Sequence, residues 1–402
     1  MNGCMSEETP VAVADSKKAG ALSVVYSVPE GKRISVGAPS LISLANGKLL
    51  AAFDQTGPDV KGLNGKKGHD AKRNRWMQGR VMSSGDGGAT WQLAATFPFR
   101  RASLFRDGGD VYLLGEAAGG LNLMRSPDGG ASWSAPMELT GDLDLWLAPT
   151  NVLASGDSWF VPCLLASGGG MGLSVFRAPK GASLMNRKAW TQGPVSGPLS
   201  QMIPALPGAG AGIPMGGASL AWRDPVLVRI ADGKHPWHGE NVLQVFGATS
   251  SGRQHWAAMM RLSTADLTLA PQTAPDGAPW VWVPLPGGHD KFDLFYDEPG
   301  RQHWLAGSRG APGLPLGAKA SQEDGLHRIG LWSSDNLVEW QFSALLASGG
   351  EGPAGIRCDP STAVCGNDLV WVCRAGGAQS RNARETMQVL CGRAANFRAK
   401  NG

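Results

Sequence analysis

Two stretches of eight residues in the first third of the chain follow one pattern, Ser-x-Asp-x-Gly-x-Thr/Ser-Trp. They occupy residues 84–91 and 126–133, so the second begins 42 residues after the first. An internal repeat of roughly 40 to 50 residues is typical of propeller blades, each of which is one small β-sheet. The repeat therefore predicts a fold built from similar sheets arranged around an axis.

The residue types of the repeat suit a tight turn between two strands. The aspartate can accept hydrogen bonds from turn amides, glycine permits a positive φ, and tryptophan packs between neighbouring blades. We therefore assign structural roles to the shared positions. These are Ser84, Asp86, Gly88, Trp91, Ser126, Asp128, Gly130 and Trp133.

Composition extends this pattern to the whole chain. The 402 residues include 57 glycines, 27 prolines and 15 tryptophans, which favours many short strands joined by turns. We predict an all-β fold, a single β-propeller domain over residues 23–402 with four-stranded blades, six rather than five or seven. A polar, flexible leader is expected at residues 1–22. An imperfect third box retains Ser333, Asp335 and Trp340 but lacks the glycine.

Three further segments are informative. Two apolar runs flank Asn46-Gly47, which predicts a β-hairpin. The charged stretch at residues 57–78 is expected to be a long loop, and the Gly- and Pro-rich stretch at residues 195–217 an irregular insertion.

Charge and cysteine usage limit the partners. The net charge of +4 is too small to predict nucleic-acid binding, and no stretch of about 20 apolar residues predicts a membrane segment. The six cysteines lack paired CxxC spacing, so we expect no metal and no cofactor. The N-terminus has no signal-peptide pattern, which leaves the compartment open, and we expect a monomer.

The two intact boxes resemble the Asp-boxes of sialidases. A wider resemblance, to bacterial sialidase-like propellers labelled exo-sialidases by similarity, rests on further segments. They are Gly37-Ala38-Pro39-Ser40 leading to Asp54, Trp222-Arg223-Asp224-Pro225, Gly287-Gly288-His289-Asp290-Lys291-Phe292 with Tyr296-Asp297, residues 333–340, and Asn396-Phe397-Arg398. The resemblance implies a propeller glycosidase.

Sialidases bind the substrate carboxylate with three arginines and use a tyrosine nucleophile with an aspartate acid/base. The guanidinium fork suits a carboxylate because it donates two parallel hydrogen bonds. The resemblance implies Arg101, Arg223, Arg374 and Arg384 as candidate substrate-binding arginines, and Tyr296 as the candidate nucleophile. This chain departs from the family at the first arginine, because Arg33-Ile34-Ser35 lies too early.

Glycosidic cleavage can also run on two carboxylates, one protonated and one ionised. Asp54, Asp224 and Glu385 lie at or beside the ends of predicted strands, where propeller sites converge. His289 can move a proton, and Lys291 can bind sugar hydroxyls. We predict that Asp54, Asp224, His289, Arg374 and Glu385 meet near the axis.

These observations predict an exo-acting glycoside hydrolase that removes a terminal acidic sugar, such as a sialic, related nonulosonic or uronic acid, from an acidic glycan or glycoconjugate. Two alternatives remain open. A polysaccharide lyase would need a His or Tyr base, and a glycan-binding propeller would bind without turnover.

Overall fold

The computed structural model describes residues 21–147, 151–198, 202, 222–249, 255–274, 276–310, 326–382 and 385–399. Most of the expected leader, residues 1–20, and nearly all of the expected insertion beyond residue 198 lie outside these ranges. The described residues are organised almost entirely as β-strands, with short 3-10 helices at Pro58–Gly62, Arg187–Ala189 and Pro353–Gly355.

The strands follow one another along the chain in short antiparallel runs. In order they are β1 (Ser23–Ser27), β2 (Ser35–Ser43), β3 (Leu49–Thr56), β4 (Gly68–Asp70), β5 (Arg75–Ser84), β6 (Gln92–Phe97), β7 (Arg100–Asp107), β8 (Asp110–Ala117), β9 (Gly120–Ser126), β10 (Met137–Glu138), β11 (Leu153–Ser155), β12 (Ser158–Ser167), β13 (Gly170–Pro179), β14 (Thr191–Gln192), β15 (Trp222–Val228), β16 (Val242–Thr249), β17 (Trp256–Ser263), β18 (Leu269–Pro271), β19 (Trp282–Pro284), β20 (Asp293–Asp297), β21 (Gln302–Ser308), β22 (Arg328–Ser334), β23 (Gln341–Ser348), β24 (Arg357–Cys365), β25 (Asp368–Ala375) and β26 (Gln388–Ala394).

These strands form six sheets, which confirms the predicted six-bladed propeller. Blade 1 contains β2, β3 and β5, with β4 and β6 both paired to β5; blade 2 contains β7–β10, and blade 3 contains β11–β14. Blade 4 contains β15–β18 with β19 added to β17, and blade 5 contains β20–β23. Blade 6 contains β24–β26 and takes β1 as its outer strand, so the two ends of the domain close the ring.

The blades pack face to face, and this explains the unbroken apolar runs of the inner strands. Leu49 to Phe53 of β3 are all buried, because both faces of a blade lie against a neighbouring blade or its own core. Between blades 5 and 6, the fully buried Trp371 packs with Trp304 and Leu331. The predicted hairpin is confirmed: β2 and β3 pair from Ser43–Leu49 around Gly47, whose φ is 81°.

The stretch at residues 57–78 is more ordered than the expected loop. It contains the 3-10 helix Pro58–Gly62, and its second part pairs β4 with β5 from Gly68–Met77 to Asp70–Arg75. Asp70 is buried and accepts a hydrogen bond from the Arg73 amide, which stabilises the turn between the two strands. Most other charged side chains of this stretch are exposed, so charge alone did not indicate the hairpin.

Each intact Asp-box is a turn held by its own side chains. Ser84 Oγ donates to Asp86 Oδ1 at 2.8 Å and accepts from the Gly88 amide at 2.8 Å, while Asp86 accepts from the amide and hydroxyl of Thr90. Trp91 Nε1 donates to the Gly88 carbonyl at 3.0 Å. The box at residues 126–133 repeats these contacts, and its Trp133 Nε1 donates to Gly130.

The third box uses a different residue from the one expected. Asn336, and not Asp335, takes the aspartate position, because its Oδ1 accepts from the amides of Val338 and Glu339. Ser334 Oγ accepts from the Leu337 amide at 2.8 Å, so this turn is one residue shorter than the intact boxes. Leu337 adopts a φ of 62°, a left-handed conformation that glycine supplies in the intact boxes.

Replacing Gly130 of the second box by alanine is expected to lower the free energy of unfolding by about 1–3 kcal/mol. Its φ is 86°, and an added Cβ would lie 2.8 Å from Leu50 Cδ1, between blades 1 and 2. Urea unfolding measures the loss. Gly141→Ala is the matched control, because its Cβ would meet nothing within 4 Å; equal losses in the two variants would contradict the expectation.

Candidate active site

A cavity of about 690 Å³ lies at the axial end where the innermost strands of the blades begin. It combines four aspartates, five arginines and two tryptophans. These lining residues come from blades 1, 2, 4, 5 and 6 and from the segment between blades 2 and 3. They are Asp54, Asp224, Asp290, Asp359, Arg73, Arg75, Arg100, Arg101, Arg374, Trp76 and Trp146. We call this space the axial cavity.

A repeated β-bulge directs side chains into the axial cavity. The registers of β2, β7, β15 and β24 shift next to their partner strands, and each shift contains one residue of positive φ. These residues are Ala38 (54°), Arg101 (52°), Asp224 (51°) and Asp359 (52°). Because a bulge reorients the local chain, it presents these residues at the same end of each blade. Positive φ is unfavourable for residues other than glycine and concentrates at functional sites.

Hydrogen bonds between blades stabilise these bulges. Ser40, directly after the first bulge, accepts from the Leu104 amide of blade 2 at 2.9 Å. Ser361, after the bulge of blade 6, accepts from the Leu41 amide of blade 1 at 3.1 Å. Asp293 of blade 5 accepts from the Thr362 amide of blade 6 at 2.6 Å. The inner ends of the blades are therefore joined where the cavity begins.

Asp54 is the most buried carboxylate of the axial cavity. Its residue is only 6% exposed, and its Oδ1 accepts a hydrogen bond from the Arg101 amide at 3.1 Å. Burial raises the pKa of Asp54, and the hydrogen bond from Arg101 and the charge of Arg100 offset part of this effect. A carboxyl group with a raised pKa can stay protonated and donate its proton, as a general acid must.

Arg101 and Trp146 form a stacked pair in the cavity wall. The guanidinium carbon lies 3.0 Å from the centroid of the Trp146 ring, and this ring is 40% exposed. Burial lowers the pKa of Arg101 to about 10, although the charge of Glu116 acts in the opposite direction. Arg101 Nη1 lies 3.5 Å from Glu116 Oε2 and has no hydrogen-bond partner within the described residues. The guanidinium is therefore held between the Trp146 ring and the Glu116 carboxylate in the wall of the cavity.

Two ion pairs, one buried and one partly buried, support the wall. Arg100 Nη2 donates to Glu116 Oε1 at 2.6 Å, and both side chains are almost fully buried. Glu116 Oε2 also accepts from the Leu147 amide at 3.2 Å, which positions the segment that carries Trp146. On the other side, Arg374 Nε donates to Asp359 Oδ2 at 2.6 Å.

The structure brings four of the predicted residues together: Asp54, Asp224, Arg101 and Arg374 all line the axial cavity. Glu385 does not join them. It lines an adjoining cavity of about 290 Å³ and forms a bidentate ion pair with Arg381, four residues earlier in the same loop.

Tyr296, the expected nucleophile, is also absent from the axial cavity. It lies in β20 of blade 5, lines a separate cavity of about 360 Å³ and packs against His303 with ring centroids 4.9 Å apart. All three tyrosines and all seven histidines of the chain are among the described residues, and none of them lines the axial cavity.

His289 and Lys291 are buried in the layer behind the cavity. His289 Nδ1 accepts from the His255 amide at 3.4 Å, and Lys291 Nζ donates to the Pro39 carbonyl at 3.5 Å. Both are therefore placed to support the innermost strands. The backbone of Arg223 pairs with Ala248, and its side chain lies outside what the structure describes. Arg384 lies outside the described residues.

Two cavity carboxylates were not among the predicted site residues, Asp290 and Asp359. A signal for Asp359 is present in the sequence, because Asp359-Pro360 repeats Asp224-Pro225 and both pairs lie near the start of an inner strand. Proline favours an extended conformation for the residue before it, yet both aspartates have a positive φ, so the bulge sets their conformation. Asp290 stands next to His289 in the sequence, and the turn places Asp290, and not the histidine, in the cavity.

Neither a metal site nor a membrane-spanning helix is found in the described part of the chain. No group of three or more His, Cys, Asp and Glu side chains there could hold a metal ion. No helix in the same residues is long and apolar enough to cross a bilayer.

Comparison with solved structures identifies similar propellers. The fold resembles the Hadza microbial sialidase Hz136, with a TM-score of 0.55 and 12% identity over 90% of this chain and 66% of that chain. It also resembles the NanB sialidase from Streptococcus pneumoniae, with a TM-score of 0.56 and 12% identity over 94% of this chain and 71% of that chain. A third is the GH93 alpha-L-arabinofuranosidase of Fusarium graminearum, with a TM-score of 0.51 and 10% identity over 93% and 97% of the two chains.

The chain therefore spans just under two thirds of the first sialidase. No family model matches the sequence, and no curated protein matches it. At these identities the similarity establishes the fold alone. This fold is the propeller fold of the sialidases, whose Asp-boxes the two intact boxes of this chain resemble.

Proposed function

We propose that this sialidase-like propeller is a glycoside hydrolase and that the axial cavity is its active site. The observation that carries the proposal is the convergence of four aspartates on one cavity, with Asp54 buried enough to raise its pKa. Hydrolysis of a glycosidic bond needs one protonated and one ionised carboxyl group at the same sugar. The similar propellers named above are glycosidases, which supports the same assignment.

The two carboxyl groups Asp54 and Asp224 lie on opposite blades, and we assign each of them a separate role in the reaction. Asp54 belongs to blade 1 and Asp224 to blade 4, which lie opposite each other in a ring of six. A terminal sugar between them would receive the Asp54 proton on its glycosidic oxygen. Asp224 would activate a water molecule at the anomeric carbon and take its proton. Alternatively, Asp224 would attack that carbon directly, and a water molecule that loses its proton to the now ionised Asp54 would then release the sugar and free Asp224. This chemistry does not use the tyrosine that the family resemblance implies.

We further propose that the terminal sugar carries a carboxylate. Arg101 and Arg374 line the cavity from blades 2 and 6, and the exposed Arg75 lies at its rim. Arginine binds carboxylates through two parallel charge-assisted hydrogen bonds. Sialic, related nonulosonic and uronic acids fit this chemistry. The lyase alternative is disfavoured because no His or Tyr side chain lines the cavity to act as its base.

The test is turnover of aryl glycosides of sialic acid, its deaminated analogue, glucuronic acid, arabinofuranose and neutral hexoses. We expect release from an acidic sugar, and a loss of at least about 100-fold in kcat/KM for Asp224→Asn. Glu298→Gln is the control, because Glu298 pairs with Arg229 away from the axial cavity. Release from neutral sugars alone would reject the acidic substrate. Glycan binding without turnover would reject the hydrolase, and an unsaturated product absorbing in the ultraviolet would indicate a lyase.

A further inference from the structure

A second cavity, of about 670 Å³, lies between blades 4 and 5. Its walls come from the loop that contains His235–His238, from the segment after β18, and from the turn between β22 and β23. Asp224, near the start of β15, lines the axial cavity, and the strand runs away from that cavity. The loop that follows β15 therefore lies on the opposite face of the propeller. The two cavities share no lining residue. We call this one the blade 4–5 cavity.

Trp280 forms a fixed aromatic wall of the blade 4–5 cavity. It is 37% exposed, although its backbone amide donates to the Gln272 carbonyl at 2.6 Å and its Nε1 donates to the Trp282 carbonyl at 3.1 Å. Trp237 meets the Trp280 ring edge-on, with centroids 5.7 Å apart. These contacts hold the indole in one orientation while part of its surface stays open to solvent.

Polar groups accompany this aromatic wall. Gln272 lines the cavity and is only 6% exposed, yet its Oε1 has no hydrogen-bond partner within the described residues. An unpaired buried acceptor is unfavourable, and a ligand that donates to it would remove that cost. The exposed side chains of Arg261 and Glu339 add a donor and an acceptor at the rim.

The imperfect third box builds the remaining wall. His235 Nε2 lies 3.0 Å from the Asn336 carbonyl oxygen, and Asn336 Nδ2 donates to Glu339 Oε2 at 3.3 Å. The shortened turn thus contacts the blade 4 loop and presents Val338 and Glu339 to the cavity. The Asp-box that departs from the pattern thus lines the blade 4–5 cavity.

We propose that the blade 4–5 cavity is a second, non-catalytic glycan-binding site that holds a neutral sugar ring of an oligosaccharide against Trp280. The apolar face of a sugar ring packs on an aromatic ring, and sugar hydroxyls both donate and accept hydrogen bonds. They would donate to Gln272 and Glu339 and accept from Arg261. A purely apolar ligand would leave these groups unpaired. The proposal does not depend on turnover in the axial cavity.

The experiment is calorimetric titration of the full-length protein with the hexasaccharides of cellulose, amylose, xylan, arabinan and chitin. At least one is expected to bind. Trp280→Ala should raise the Kd of that event at least about tenfold, and Trp280→Phe should retain most of the affinity. Trp146→Ala is the matched control, because Trp146 is the partly exposed tryptophan of the axial cavity and its loss should leave this event unchanged.

The proposal is overturned if no hexasaccharide binds the wild-type protein, or if Trp280→Ala binds with the wild-type Kd. Should Trp280→Ala not fold, Arg261→Ala at the exposed rim replaces it and should raise the Kd about threefold or more. Aryl glycoside turnover is measured on the same samples. If hexasaccharide binding depends on Trp280 but no aryl glycoside is turned over, the hydrolase is rejected and the second site is supported. If aryl glycosides are turned over but no hexasaccharide binds, the second site is rejected and the hydrolase is supported.

Discussion

Asp54→Asn is expected to abolish turnover without destabilising the protein at neutral pH. The asparagine has nearly the same shape, and its Oδ1 can still accept the hydrogen bond from the Arg101 amide. It cannot donate a carboxylic proton to a leaving group, so kcat/KM should fall by at least about 100-fold. Burying a carboxyl group that can ionise lowers the free energy of unfolding, and a neutral replacement removes this penalty.

The pH dependence of this effect has a definite sign. Burial raises the pKa of Asp54 in the folded protein above its value in the unfolded chain. The folded state therefore holds this proton more tightly, and the protein loses stability as the pH rises from the unfolded to the folded pKa. The variant lacks this loss. The difference in Tm between variant and wild type should be small near pH 4 and larger, in favour of the variant, at pH 8.

Thermal unfolding at the two pH values, with turnover measured on the same samples, checks this expectation. Asp293→Asn is the matched control: burial also raises the pKa of Asp293, but its carboxylate accepts from Thr362 and lies outside the axial cavity. It should share the pH trend and retain turnover. A stable Asp54→Asn variant with full activity would remove Asp54 from the mechanism, and a variant unfolded at pH 7 would make its role structural.

Glu116→Gln is expected to cause the largest loss of stability, about 3–5 kcal/mol in the free energy of unfolding. The substitution keeps the shape but leaves the Arg100 guanidinium, which is 7% exposed, without its charged partner. The substitution also removes the negative charge that acts on Arg101, and it weakens the hydrogen-bond acceptor for the Leu147 amide. An uncompensated buried charge is costly because the interior cannot solvate it.

Urea unfolding measures this loss, with Asp142→Asn as the control. Asp142 forms an ion pair with Lys72, but both side chains are largely exposed, so its loss should cost less than about 1 kcal/mol. Similar losses of unfolding free energy in the two variants would show that burial does not determine how much the Arg100–Glu116 pair contributes to stability. Glu116→Gln should also weaken substrate binding, because the same carboxylate holds the wall that carries Trp146.

Which residues share the axial cavity was only partly predictable from the sequence, for physical reasons. Asp224 and Asp359 both precede a proline at the start of an inner strand, and both line the cavity; one was predicted and the other was not. Glu385 was predicted as a third carboxylate, but its contact with Arg381 is a local one within a loop, and the loop ends in the adjoining cavity. The direction of a loop over a blade depends on the neighbouring blades.

Tyr296 illustrates the same limit. In the sequence it stands beside carboxylates, and the strand that carries it does belong to the inner layer of blade 5. A difference of a few residues along that strand decides which end of the axis a side chain reaches. Asp290 precedes the strand and lines the axial cavity, whereas Tyr296 follows its start and lines the other cavity. The order of the residues alone does not indicate which end of the propeller axis carries the candidate site.

The sequence by itself determined the repeat, the intact Asp-box turns and the class of fold. The hydrogen bonds of an intact box join residues two to four positions apart, so eight consecutive residues contain the whole structure. Only the tertiary structure decided which side chains share a cavity. The bulges of separate blades converge through contacts such as Ser40–Leu104 and Ser361–Leu41, which join residues 64 and 320 positions apart. The first contact needs two neighbouring blades to pack and the second needs the ring to close, so no local pattern encodes either of them.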